Sequence, residues 1–353
     1  MCPAHFDPGG LYREARGYGA QHRARYLKQL QGLIARLRRG ATAVRRRGFA
    51  ADFSSVSAYR RSTARLRKLY RAMLGWPLIV DRARRGRPKA TLKKVAEDAS
   101  GTIYRAWIGS LPKLETYGLL FLPPRLERVP LVICQHGGLG TPEVISGFFG
   151  SENYNNLLRR ILARGAACFA PQLLLWREAF GPKFDRQKID SQLKQLGSSL
   201  TALEVHCIER CLDYLVTRPE IDGERIGMAG LSYGGFYAQY AAAADTRIKA
   251  AASSCFFNDR HVYHWLDWTW FDASHRFLDA EVAALVCPRA LYVEVGKRDK
   301  HFAVGPARRE AKWVAQVYRR LGIPERFCYR EFSGKHEFSK EDDGIDFLMR
   351  YLT

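Results

Sequence analysis

A mainly parallel, doubly wound α/β sheet is the fold class that this 353-residue sequence predicts, and three observations predict it. From about residue 131 onward, short apolar stretches alternate with stretches of helical period, the pattern of repeated β-α units joined by right-handed crossovers. Leu131 to Gln135 reads as a strand covered on both faces, as in a parallel sheet. Arg225 to Phe236 reads as a buried strand, a cramped turn carrying one serine, and the start of a helix.

The elements follow in order. Tyr26, Leu27, Leu30, Leu33, Ile34 and Leu37 recur at three- and four-residue steps, which predicts an amphipathic helix over 21–39. A second helix is expected over 57–74, with Tyr59, Leu66, Leu69, Tyr70, Met73 and Leu74 on one side and Gly75 and Pro77 ending it. A Gly/Ala/Ser-rich connection is expected between them. Arg82 to Lys89 reads as an exposed hinge, so the chain divides into a basic helical segment over 1–88 and an α/β catalytic domain over 89–353. Antiparallel strands are expected at 91–97, 102–108 and 116–122, the last ended by Pro123-Pro124. After the 131–135 strand come helix 155–164, strand 166–171, helix 200–216, strand 225–229, helix 236–244 and strand 248–254. Strand 290–295, helix 306–321, strand 325–332 and helix 343–352 complete the alternation. Ligands of such sheets bind beyond the carboxyl ends of the strands.

Composition narrows the class of protein. A hydrophobic content of 47% suffices for a sizeable core. No run of about 18 or more apolar residues appears, and Met1 to Asp7 lacks the apolar core of a signal peptide, so no transmembrane segment is expected. Arg45-Arg46-Arg47 resembles a twin-arginine signal, but Ala50 to Phe53 follows where a long apolar run belongs. The eight cysteines sit mostly in apolar runs, as buried reduced thiols of a cytoplasmic protein do. His206, Cys207 and Cys211 lack a second ligand pair at matching spacing, so no metal is expected. The net charge of +22 is lopsided: residues 1–90 contain 22 Lys and Arg against four acids. Solvated helix faces explain such a run, and a partner of opposite charge is the alternative: nucleic acid, an anionic surface or an acidic protein.

The chemistry is concentrated at strand ends. Gly230, Ser232 and Gly234 form G-x-S-x-G, in which small residues permit a turn sharp enough to expose the serine hydroxyl. Asp299 and His336 each follow a later strand, in the order Ser, Asp, His. A serine hydroxyl is a poor nucleophile until a histidine takes its proton, and a carboxylate then fixes the imidazole and stabilises its cation. Glu294 competes with Asp299 but lies within the strand. His136-Gly137-Gly138 follows the 131–135 strand and offers one backbone N–H to an oxyanion from Gly137, Gly138 or Leu139. Tyr233, directly after the serine, offers the second.

With Gln135 to Gly138, Gly230 to Gly235, Gly296 to Asp299 and Gly334 to Phe338 in place, the sequence resembles the α/β-hydrolase superfamily over about residues 90–353. More narrowly it is similar to the branch of dienelactone hydrolases, acetyl xylan esterases and prolyl oligopeptidases. The resemblance implies the α/β-hydrolase fold, serine hydrolysis through an acyl-enzyme without cofactor, and Ser232, Asp299 and His336 as the triad. Ser-Tyr-Gly-Gly is also typical of prolyl-oligopeptidase-type peptidases, in which a β-propeller precedes the hydrolase domain. Here about 90 helical residues precede it, so a carboxylic-ester hydrolase acting on a small-molecule ester is favoured over a peptidase or amidase. A binding or scaffold protein that uses the basic N-terminus is a third reading. His136, Asn258, Arg260, Trp265, Trp268 and Trp176 are expected near the substrate. The aromatic stretch 261–277 is either a wall of the pocket or a self-packed cap. Trp176, Arg177, Lys183 and Arg186, in the long 171–197 excursion, either meet an anionic part of the substrate or lie in solvated surface.

Overall fold

The computed structural model describes residues 5–75, 86–124, 128–263 and 265–353. The expected hinge falls outside the described residues over 82–85, as do Cys2 and Pro77. A small hairpin, β1 (His5–Phe6) and β2 (Tyr12–Arg13), precedes two long helices, α1 (Ala20–Gly48) and α2 (Val56–Leu74). The three antiparallel strands β3 (Ala90–Asp98), β4 (Gly101–Leu111) and β5 (Leu114–Leu122) follow, then β6 (Val129–Gln135). Short helices α3 (Pro142–Ile145) and α4 (Leu157–Leu162) lead to β7 (Ala167–Pro171), α5 (Arg186–Gln195) and α6 (Leu200–Leu215). The remainder is β8 (Ile221–Leu231), α7 (Tyr233–Ala244), β9 (Ile248–Ser254), α8 (Ala273–Arg276), α9 (Asp279–Val286), β10 (Ala290–Gly296), α10 (Val304–Arg320), β11 (Phe327–Phe332) and α11 (Asp343–Arg350).

These strands form one nine-stranded sheet in the order β11-β10-β9-β8-β6-β7-β5-β4-β3. The pairs from β11 to β7 are parallel, and β7-β5, β5-β4 and β4-β3 are antiparallel. The central strands β6 and β7 are buried along their full length, as apolar strands between two helix layers must be. One layer buries Tyr59, Leu66 and Tyr70 of α2 with Val205, Leu212, Phe236, Val282 and Val314. The other buries Val144, Leu157, Ile161, Ile345 and Leu348.

Two elements depart from expectation for visible reasons. The Gly/Ala-rich stretch after residue 39 is not a connection: α1 continues to Gly48 because Ala41 and Arg45 face the body and are buried. Arg45 Nε lies 2.7 Å from Glu281 Oε2, while Arg46 meets Glu281 at 2.8 Å and Glu310 at 2.7 Å. The arginine triplet is thus partly an anchor, fixed to carboxylates distant in sequence. The 155–164 helix begins only at Leu157, since Asn155 and Asn156 adopt left-handed conformations at φ 48° and 57°. Asn155 Nδ2 donates to Phe338 O at 2.7 Å and Glu337 Oε2 at 3.0 Å, so the unwound turn clamps the loop after β11.

Candidate active site

Ser232 stands between β8 and α7 at φ 59°, ψ −120°, a strained backbone for a residue with a Cβ. Close packing makes that turn possible. A Cβ on Gly230 would lie 2.4 Å from Gly234 C, and one on Gly234 would lie 2.0 Å from Gln135 O. Ser232 N–H donates to Ser254 O at 2.9 Å, which ties the turn to the end of β9. The serine is only 7% exposed, yet it lines a cavity of about 750 Å³.

Asp299 and His336 meet beyond the ends of β10 and β11. His336 Nδ1 lies 2.8 Å from Asp299 Oδ2, and Asp299 Oδ1 accepts the N–H groups of His301 at 2.7 Å and Phe302 at 3.2 Å. Burial alone raises the Asp299 carboxyl, but the His336 hydrogen bond and charge, with the two backbone donors, bring it below the usual carboxylate range. It is therefore a fixed anion behind the imidazole. Phe302 stacks on the His336 ring with centroids 5.8 Å apart, and His301 packs edge-on at 4.8 Å. His336 lines the same cavity as Ser232. Glu294, the competing acid, is buried elsewhere: its Oε1 accepts Ser254 Oγ at 2.7 Å and Ser339 N–H at 2.8 Å, and burial raises its pKa to about 7.

The glycine loop is more constrained than its sequence suggests. Gly137 N–H donates to the Tyr154 hydroxyl at 2.8 Å, and Leu139 N–H donates to Leu175 O at 2.7 Å. Both are spent, which corrects the expectation that Gly137 faces an oxyanion. Gly138 N–H has no protein partner among the described residues, and its Cα packs so closely on the Tyr233 ring that a Cβ would sit 3.3 Å from Cδ2. Gly138 lies beside Tyr233, whose own N–H is at the first turn of α7, where helical N–H groups have no intrahelical acceptor.

Of the expected substrate neighbours, Trp176 and Trp265 line the cavity with Gly138, Tyr233 and Leu139. Four others do not. His136 is buried, with Nε2 accepting Leu173 N–H at 3.0 Å, and burial lowers its pKa from 6.5 to about 4. Asn258 donates to Ala303 O at 2.9 Å, and Arg260 pairs with Asp279 at 2.7 Å below the surface. Trp268 stacks between Phe236, at 4.9 Å, and Trp265, at 4.6 Å. The aromatic stretch is therefore packed mostly onto the body, on Phe236, Tyr240, Phe256 and Phe302, rather than on itself, and its Trp265 reaches the cavity.

Arg177, Lys183 and Arg186 all line the cavity. Arg186 is not free for an anion: its guanidinium meets Glu204 Oε2 and Asp267 Oδ2, each at 2.8 Å. Asp267 Oδ2 also accepts the Tyr233 hydroxyl at 2.9 Å, so this network fixes the residue after Ser232. Glu204, Asp267 and Tyr154 carry no local sequence signal, since their roles depend on partners 17 to 81 positions away. The one group of His, Cys and carboxylate at metal-ligand spacing among the described residues is Cys255, Asp299 and His336, and it already contains the Asp-His pair.

Comparisons with known proteins agree with this architecture. A model of the prolyl oligopeptidase family matches residues 204–282, which span the Ser232 turn and the aromatic stretch. YtaP of Bacillus subtilis (strain 168), itself only provisionally named a hydrolase, is 26% identical over 177 residues, 47% of this chain. The match spans 58% of that relative's length. Among solved structures, methylesterase BT1017 superposes with TM-score 0.65 at 21% identity, covering 84% of this chain and 64% of the other. A glucuronoyl esterase from Solibacter usitatus gives 0.61 at 17%, covering 82% and 91%. Acetyl xylan esterase 1 from Thermoanaerobacterium sp. JW/SL YS485 gives 0.59 at 16%, covering 81% and 94%. By fold, the chain is an α/β-hydrolase.

Proposed function

We propose that the chain is a serine hydrolase of carboxylic esters. The observation that carries this reading is the pairing of a strained, cavity-facing Ser232 with a His336 that is already held by Asp299 at 2.8 Å. Ser232 Oγ attacks the ester carbonyl while His336 Nε2 takes its proton, and the charge on the carbonyl oxygen is met by the N–H groups of Tyr233 and Gly138. The tetrahedral intermediate collapses, the C–O bond to the alcohol breaks, and His336 returns the proton to the departing oxygen. Water then repeats the sequence on the acyl-enzyme, with His336 as base and Ser232 as leaving group. Asp299 holds Nδ1–H throughout and stabilises the imidazolium. Removal of one oxyanion donor costs roughly 3–4 kcal/mol of transition-state stabilisation.

The family-model match over 204–282 favours a second reading, hydrolysis of amides by the same groups. Purified protein offered p-nitrophenyl acetate, butyrate and the matching anilides separates the two. Ester turnover that Ser232→Ala abolishes supports the first reading, anilide turnover alone supports the second, and no turnover of either with no acyl-enzyme overturns both.

We assign the triad and the rest of the α/β framework to a catalytic domain over 89–353 and the basic helices to a segment over 1–88 with an anionic partner. A reducing cytoplasm suits the seven free cysteines among the described residues. No described helix is long and apolar enough to cross a membrane.

A further inference from the structure

The first five turns of α1 carry a face that the body of the protein does not use. Residues 20–37 are exposed throughout except for the half-buried Gly32, and contact with the body begins at Arg38, whose Nη1 donates to His261 O at 3.2 Å. Along this stretch Tyr26, Leu27, Leu30, Leu33, Ile34 and Leu37 form one apolar stripe, each between 38% and 68% exposed. Arg25, Lys28, Arg36 and Arg39 lie on the other side, and the whole helix has nine Lys and Arg and no acid. Among the described contacts none of these four cations meets a carboxylate. At its C-terminal end the helix is fixed by the buried Arg45–Glu281 pair, with Arg46 stacked 3.8 Å over Trp313.

We propose that this helix docks on an anionic lipid bilayer, lying in the interface with its leucine stripe among the acyl chains and its cations at the headgroups. This deepens the reading that the basic segment has an anionic partner, and it rests on that reading. Charge complementarity selects the occupant. A second copy packed stripe to stripe would cover the leucines but leave Arg25, Lys28, Arg36 and Arg39 of both helices with no acid to pair them. Nucleic acid answers the cations but leaves an apolar stripe of six large side chains in water. An anionic bilayer satisfies both faces at once, because buried apolar area and attraction to acidic headgroups add in interfacial helices. The exposed Phe6, Leu11 and Tyr12 of the N-terminal hairpin precede the helix and supply further apolar surface.

The test is co-sedimentation of the full-length protein with vesicles of phosphatidylcholine alone and of phosphatidylcholine with about one-third phosphatidylglycerol, beside retention on heparin and on DNA. Wild type is expected to pellet with the anionic vesicles and not with the neutral ones. Two triple variants, L27S/L30S/L37S and R25Q/K28Q/R39Q, should each lower the vesicle partition coefficient about tenfold or more, while the melting curve and turnover of a soluble ester stay unchanged. If the leucine variant binds anionic vesicles, heparin and DNA as wild type does, the surface is purely electrostatic; the lipid assignment falls and the anionic-partner reading stands. Failure to bind vesicles, heparin or DNA overturns both. A concentration-dependent dimer that the leucine variant loses assigns the stripe to a second copy and also overturns the lipid assignment.

Discussion

Asp299 is the residue on which the proposed chemistry depends most after Ser232. Replacing it with Asn keeps the size but presents an amide to His336 Nδ1, which favours the wrong imidazole tautomer. The expected result is a fall in kcat of about 10³- to 10⁴-fold with little change in KM, read from steady-state hydrolysis of a short p-nitrophenyl ester. Tyr154 makes a different contribution. Its hydroxyl is the acceptor for Gly137 N–H, so Tyr154→Phe leaves a buried donor unsatisfied and should cost about 1–3 kcal/mol in denaturant unfolding. His136 gives the pH dependence. Its pKa falls from 6.5 to about 4 on folding, so the unfolded chain binds more protons between those values. Stability from this group is complete above pH 6.5 and is lost as the pH falls toward 4. Glu294, raised from 4.5 to about 7, works in the opposite sense, so stability from its neutral form fades as the pH rises through that interval. Subtracting the unfolding curves of His136→Asn from those of wild type at each pH isolates the first effect. A difference that does not shrink between pH 6.5 and 4 contradicts it.

At the scale of elements, the strand ends were the most legible part of the chain. Gly230, Ser232 and Gly234 announce their turn because no larger residue clears Gly234 C or Gln135 O. Asp299 and His336 announce themselves by standing just past the ends of β10 and β11. What stayed hidden depends on partners far away in sequence. The continuation of α1 past Gly40 was illegible because glycine weakens a helix locally, and burial of Arg45 on Glu281 overrides it. His136, Asn258 and Arg260 look like site residues in sequence, being polar and beside functional turns. Each instead is held by a backbone group or a buried carboxylate. The Arg186 network joins α5, α6, the aromatic stretch and Tyr233. Arg186→Met leaves Glu204 and Asp267 buried without their cation and should destabilise the protein by about 3–5 kcal/mol in urea unfolding, more than an exposed pair such as Lys183–Glu178 could. A loss below about 1 kcal/mol would show that the network is not structural.

Across the whole molecule, chemistry and charge are separated along the chain. The proposed triad and oxyanion donors and the cavity lie between Gly138 and His336, whereas 22 of the 57 Lys and Arg lie in the first 90 residues. The fold class follows from the alternation of apolar and amphipathic stretches, and the sheet places Ser232, Asp299 and His336 beyond the ends of β8, β10 and β11, with β9 between the first two. In the proposed chemistry Ser232 is the activated nucleophile of this assembly. The most direct test of that role is reaction with a fluorophosphonate followed by peptide mapping in a mass spectrometer. The account predicts one adduct, on Ser232, that forms much more slowly in His336→Ala and not at all in Ser232→Ala. No adduct on the folded protein, or one at a different residue, would contradict it.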